Sequence, residues 1–388
     1  MPGQGIISVA EELFYSPVSQ VWERAMHQAV ASTVRFSREE ALLIITGAAI
    51  CAAIAITYHV LGFSVIRSDV RGYADWSHHL FEHRVKYHLP GYPTLIALSR
   101  VLTLGWVGDA VLMQGLAFIC WVISLRVLSL TLEKVSPESK RLGLLLFGLY
   151  PFVGVAYIVY PIADILASLL LIGAFYCALR KLWWPFVLIA AYGLLVHKAL
   201  WPFLFLLMLA CMVWMGMPRW HLALAGAPLA IYYLIMTPPG KNPLWILRWH
   251  LDRELTSQSS FPVFDGILGT LIQGSMKGMF KGGVLFLVFL STVFLGLYLL
   301  KRKECLLLAL ITPLVIFAVT LNQHEAWALL RFSKVLVIPL CVWLVVQGKR
   351  GIAPRQLSAY IGLAAVLIVT NIAWAAYIMM YFDSGPFQ

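Results

Sequence analysis

Long apolar runs recur along this chain from about residue 41 to about residue 380, and they constrain its fold more tightly than any other feature. Many approach the ~20 residues that a helix needs to cross a hydrocarbon layer of ~30 Å. A water-soluble fold of 388 residues could not hide them all, because surface grows almost as fast as volume. Hydrophobic residues make up 61% of the chain and charged residues 12%, where a soluble domain is about a quarter charged. In lipid the backbone must satisfy its own hydrogen bonds, so the runs are expected as helices. They do not alternate with period two, which argues against a transmembrane barrel. The implied fold class is an all-α polytopic membrane protein.

About eleven spans are expected on this reasoning. They fall near 41–66, 107–132, 142–159, 162–179, 183–197, 200–216, 221–236, 284–300, 305–321, 333–347 and 358–380. Residues 94–106 are apolar but short, and suit a re-entrant or interfacial piece. Residues 1–40 form an amphipathic segment, with Val21, Trp22, Met26 and Val30 set among Glu23, Arg24 and His27. The first apolar run is too long for a signal h-region and is expected to be a signal anchor. Residues 41–388 then make one transmembrane catalytic domain, with no soluble domain and no internal repeat.

A formal charge of +11 invites a nucleic-acid reading, but the basic residues punctuate apolar runs instead of forming one patch. Lys134, Lys140 and Arg141 form one group, Arg180 and Lys181 another. Arg219, Lys301–Lys303, Lys349, Arg350 and Arg355 continue the series. With an odd number of spans these groups share the side of the N-terminus, which is cytoplasmic by the positive-inside rule. Loops 67–93, 237–283 and 322–331 then face outward, with seven of the ten histidines in the outer segments. The six cysteines lie within or beside apolar runs and show no ligand spacing.

The first outer loop holds Asp69 just past the first span, beside Arg67 and Arg71. It is either a carboxylate poised at the membrane surface or a solvated cap paired with an arginine. From Tyr73, apolar positions recur at helical spacing, predicting an interfacial helix over 73–87. On such a helix His79 and His83, and likewise His78 and Glu82, stand four apart, the spacing of metal-binding pairs, although no third ligand is marked. Asp164 sits just inside an apolar span, as a cap or as the partner of another polar group. His197 and Lys198 interrupt an apolar stretch, and Arg331 and Lys334 lie three apart at the start of a late span. These cations either snorkel to the headgroups or serve a phosphate at the bilayer edge. The long loop mixes Trp245, Arg248, Trp249, His250 and Arg253 in another amphipathic stretch, followed by the glycine-rich QGSMKGMFKGG, expected to be flexible.

Together these features resemble the GT-C superfamily of multi-pass glycosyltransferases, which use polyprenyl- or dolichyl-phosphate sugars. The resemblance rests on Asp69 followed by Gly72-Tyr73, on Pro90-Gly91-Tyr92-Pro93, on Tyr160-Pro161 before ADILASLLL, on Lys198 and on Arg331. Many members carry two acids adjacent or one apart, whereas Asp69 stands alone and the next acid is Asp75. The resemblance implies transfer of a sugar from a lipid phosphate to an acceptor hydroxyl, with inversion, at the extracytoplasmic face. Asp69 would be the general base, with Lys198, Arg331, Lys334 and Arg71 at the donor phosphate. Tyr73, Asp75, Glu82 and His88 would contact sugar or acceptor, as would Tyr92, Tyr160, Asp164 and His197. No cofactor is required by most members, and no nucleic acid is expected as a partner. The donor would be a polyprenyl-phosphate-linked sugar and the acceptor a lipid or glycan. The site of action would be a bacterial plasma membrane, or the endoplasmic reticulum in a eukaryote.

Two other classes compete with this reading. An oligosaccharide ligase or polymerase would work through Arg248, His250 and Arg253. A lipid or oligosaccharide flippase would place polar residues near mid-membrane on broken helices, whereas here they cluster at one face, with Asp109 and His59 the main exceptions.

Overall fold

The computed structural model describes residues 36–60, 68–80, 89–150, 156–237, 240–242, 248, 264–272, 276–322, 327–347, 362–363 and 365–373. Among them the chain is helical, with no strand. The helices are α1 (Arg38–Val60), α2 (Ser68–His78), α3 (Gly91–Leu102), α4 (Asp109–Val135), α5 (Lys140–Gly148), α6 (Ala163–Leu179) and α7 (Trp183–Val196). They continue as α8 (Leu200–Trp214), α9 (Trp220–Met236), α10 (Met276–Arg302), α11 (Cys305–Thr320), α12 (Trp327–Phe332) and α13 (Val337–Gln347). Four helical stretches are long and apolar enough to cross a membrane: Arg38–Thr57, Asp109–Val135, Met279–Arg302 and Ala328–Val345. Five shorter apolar helices, α6 to α9 and α11, pack with them. The chain is a helical membrane protein.

Its packing is that of a bundle in lipid. Helix α6 is buried nearly all round, between α4 and α7. Outward faces instead carry large apolar residues such as Ile45, Leu188 and Leu287. Lipid gives no hydrophobic drive between helices, so close approach relies on small residues. Gly47 lies under the Trp121 ring, and Gly91 lies against the Leu195 backbone, where a Cβ would come within 2.7 Å of the carbonyl oxygen.

Two ends of the bundle differ in chemistry. At one, Arg141 pairs with Glu39 at 2.9 Å, Lys140 pairs with Glu133, and Lys134 Nζ donates to the Leu179 carbonyl at 2.7 Å. The hairpin turns α6–α7 and α10–α11 bend through Lys181 and Lys303, both left-handed (φ 55° and 59°). Amides there bond back to the last helical carbonyls, where a cation also favours the dipole. Beside them Trp220 stacks on His221, and Trp184 meets Trp220 edge to face. The basic groups expected on one side that fall among the described residues thus collect at this basic end. Deeper in, Arg126 meets the fully buried Glu40 at 3.1 Å, and Ser37 and Glu40 cap α1 reciprocally.

Two expectations for the loops are corrected. The amphipathic helix of the first loop begins at Ser68, ahead of Tyr73, and ends at His78; residues 81–88 of the expected 73–87 stretch lie outside the described residues. His79 lies just past the helix, its amide bonding to the Trp76 carbonyl and its Nδ1 to the Asp75 carbonyl, while its expected partner His83 is outside the described residues. The glycine-rich segment, expected to be flexible, is helical from Met276 onward. Gly282 explains part of this, because its bare Cα lets the Thr270–Ile272 turn seat Leu271 against α10. The short apolar piece after residue 90 is the 12-residue α3. At ~1.5 Å per residue it is too short to cross the bilayer.

Candidate functional site

At the end opposite the basic groups, two distant stretches are joined by an ion pair inside the bundle, with a buried lysine three residues from it. Asp164, in the first turn of α6, is 2% exposed. Its Oδ2 faces Arg331 Nη1 at 3.6 Å, while its Oδ1 is buried with no hydrogen-bond partner among the described residues. Lys334, three residues after Arg331, is 3% exposed. Its Nζ lies 5.0 Å from the centroid of the Phe147 ring, a cation–π contact. A snorkelling lysine keeps its head in water or among headgroups, and Lys334 does not. Burying charges in this way is costly and needs close partners, so the arrangement is unlike an accidental surface pair.

His197 and Lys198 belong to the same region. His197 terminates α7, its Nδ1 accepting from the Ala199 amide at 3.1 Å, and its ring lies 5.6 Å from that of Phe332, between Arg331 and Ser333. Phe332 in turn packs on Phe203 of α8. Lys198 Nζ is enclosed within the bundle. Helices α6, α7, α8 and α12 thus bring Asp164, His197 and Arg331 into one neighbourhood, with Lys198 next in chain to His197.

A second polar node ties down the first loop. His78 Nε2 and Asp109 Oδ2 are 3.0 Å apart, and Arg100 Nη2 reaches Asp109 Oδ1 at 2.7 Å and Ser77 Oγ at 2.8 Å. The ends of α2 and α3 and the start of α4 are joined there. Asp109, an apparent stray acid in the sequence, is the shared partner.

The remaining candidates separate. Asp69 lies in the first turn of α2, and its side chain is outside the described residues, as are Glu82, His83, His88, His250 and Arg253. Arg71 pairs with Asp75 at 3.8 Å with both side chains largely exposed, which contributes little. Tyr73 and Tyr92 are buried and meet edge to face at 5.1 Å between α2 and α3. Burial pushes the Tyr92 hydroxyl up, so it stays a neutral phenol, and among the described residues it has no hydrogen-bond partner. Tyr160 is buried, and Arg248 is exposed. Among the described residues no three His, Cys, Asp or Glu side chains gather as a metal-binding set.

Sequence reasoning missed Phe147, Tyr150 and Ser333. Tyr150 OH is hydrogen-bonded to Ser333 Oγ, and Phe147 covers Lys334. Apolar or hydroxylic residues in an apolar run carry no signal of this kind. Chemically, the cluster offers two cations to an anionic group and one carboxylate oxygen open to a hydroxyl donor. Comparison of the chain with family models, curated proteins and solved structures finds no match to any of them.

Proposed function

We propose that the chain is a membrane glycosyltransferase of GT-C type, with about eleven spans, that moves a sugar from a polyprenyl-phosphate donor to an acceptor hydroxyl. The observation that carries this reading is the pairing of Arg331 with buried Asp164, with buried Lys334 three residues on, at the non-basic end of the bundle. A lipid phosphate enters such a site from the bilayer, and the low dielectric strengthens each charge-assisted contact. As the acceptor oxygen bonds to the anomeric carbon, the bond from that carbon to the phosphate oxygen breaks and the electron pair leaves with the phosphate. Arg331, Lys334 and Lys198 stabilise the charge gathered there. Asp69 takes the acceptor proton. Attack opposite the leaving group inverts the anomeric centre, and no metal or cofactor is needed. By the positive-inside rule this end faces away from the cytoplasm, in a bacterial plasma membrane or the endoplasmic reticulum.

The flippase reading also has an observation on its side. The span carrying Arg331 and Lys334 is interrupted at Ser333–Leu336, as transporter helices often are. Reconstitution in vesicles with radiolabelled polyprenyl-phosphate sugars separates the classes. The glycosyltransferase reading expects product glycan from wild type, none from Asp69→Asn, and at least partial activity from His250→Ala. Activity lost in His250→Ala and kept in Asp69→Asn would favour the ligase. Movement of the lipid without transfer would favour the flippase.

A further inference from the structure

The stretch that carries the two cations is not one continuous helix. Helix α12 ends at Phe332, a 3-10 turn covers Ser333–Leu336, and α13 resumes at Val337. Passing from i+4 to i+3 bonding leaves a carbonyl short of its usual donor, which in a membrane must be met from elsewhere. Two hydroxyls converge on it here. Ser333 Oγ donates to the Leu330 carbonyl at 2.8 Å, and Tyr150 OH lies 3.3 Å from the same oxygen. Tyr150 OH and Ser333 Oγ are also hydrogen-bonded to each other. A phenol has one proton, so with the Ser333 proton on the carbonyl, the Tyr150 proton serves Ser333 Oγ. The end of α5 that supplies Tyr150 is itself pinned, because buried Asn371 donates from Nδ2 to the Leu149 carbonyl at 2.8 Å.

The break bears directly on the site. Residues three apart eclipse in a 3-10 turn, whereas in an α-helix they diverge by about 60°. The turn begins at Ser333, so it closes part of that angle between Arg331 and Lys334 and brings Lys334 nearer the line of Arg331, whose Nη1 faces Asp164 Oδ2 at 3.6 Å. We propose that Tyr150 is a positioning residue: through Ser333 and the Leu330 carbonyl, its hydroxyl holds the span in the broken form that aligns Lys334 with Arg331. Its consequence for a donor phosphate rests on the functional reading above; the alignment itself does not.

The test uses the full chain in lipid nanodiscs, with ε-13C-labelled lysine and the Lys334 signal assigned by its loss in Lys334→Met. Tyr150→Phe and Ser333→Ala should each move that signal, Ser333→Thr should leave it in place, and the double variant should match either single, since one chain of bonds is cut. Binding of undecaprenyl phosphate should weaken about three- to tenfold in the same two variants, with undecaprenol unaffected. A Lys334 signal unmoved by both substitutions, or shifts that add in the double variant, would overturn the proposal. Should Tyr150→Phe fail to fold, Ser333→Ala against Ser333→Thr decides it alone. If wild type shows no preference for the phosphate over the alcohol, the functional reading falls, while the lysine signal still decides the positioning.

Discussion

Replacing Asp164 isolates what the buried cluster costs and what holds it. Its side chain is 3% exposed, that of Arg331 is 28% exposed, and Lys334 is enclosed. Removing one member of a buried ion pair typically costs about 3–5 kcal/mol, because a charge stays behind in a low dielectric. Arg331 is partly exposed and can recover some hydration, so the loss should fall at the lower end, about 3 kcal/mol. Asp164→Asn is the informative variant, since it keeps the shape and removes only the charge. Adding Lys334→Met removes one cation left behind and replaces it with a side chain of similar length. Replacing buried ions by apolar groups of similar volume is often neutral, so the double variant should regain at least half of the loss. Reversible unfolding in mixed detergent–lipid bicelles, followed by circular dichroism, gives both numbers. Asp164→Asn within about 0.5 kcal/mol of wild type would refute the reasoning, as would a double variant whose losses simply add.

Two further outcomes follow from the packing and the charge pattern. Gly91→Ala would press a Cβ against the Leu195 carbonyl at 2.7 Å, where backbone cannot yield cheaply, so it should destabilise the same unfolding transition by about 1–3 kcal/mol; an unchanged transition would show that α3 and α7 do not approach so closely. On a background without native cysteines, an impermeant thiol reagent applied to intact cells should label Arg248→Cys and spare Lys301→Cys, and the opposite pattern would reverse the sidedness.

The helices were legible in the sequence because apolar runs of the right length leave the chain few alternatives in lipid. The expected segments 162–179 and 183–197 correspond to α6 and α7 within two residues. Arg331 and Lys334 were legible as neighbours on one side of a helix, because they stand three apart. Their orientation was not, since inward and snorkelling lysines look identical in sequence and only the partner distinguishes them. Asp164 is that partner, and no local pattern links it to Arg331. The end of α2 was misjudged for a similar reason. Helical periodicity continues past His78, but His78 is drawn to Asp109, while Arg100 holds that carboxylate from α3. The 3-10 break was invisible because its stabilising hydroxyl comes from Tyr150, far away in the chain.

The central claim is that one site holds a base for the acceptor and cations for the donor phosphate. The most direct measurement is the distance from the Asp69 carboxylate to the cationic nitrogens of Lys198 and Arg331, in a structure of the protein with undecaprenyl phosphate bound. A sugar ring and its glycosidic oxygen must fit between the two tasks, so the account predicts roughly 6–12 Å to the nearer nitrogen, longer than a salt bridge, with the phosphate against Arg331. Asp69 more than about 20 Å from both cations, or either cation turned outward into lipid, would contradict it.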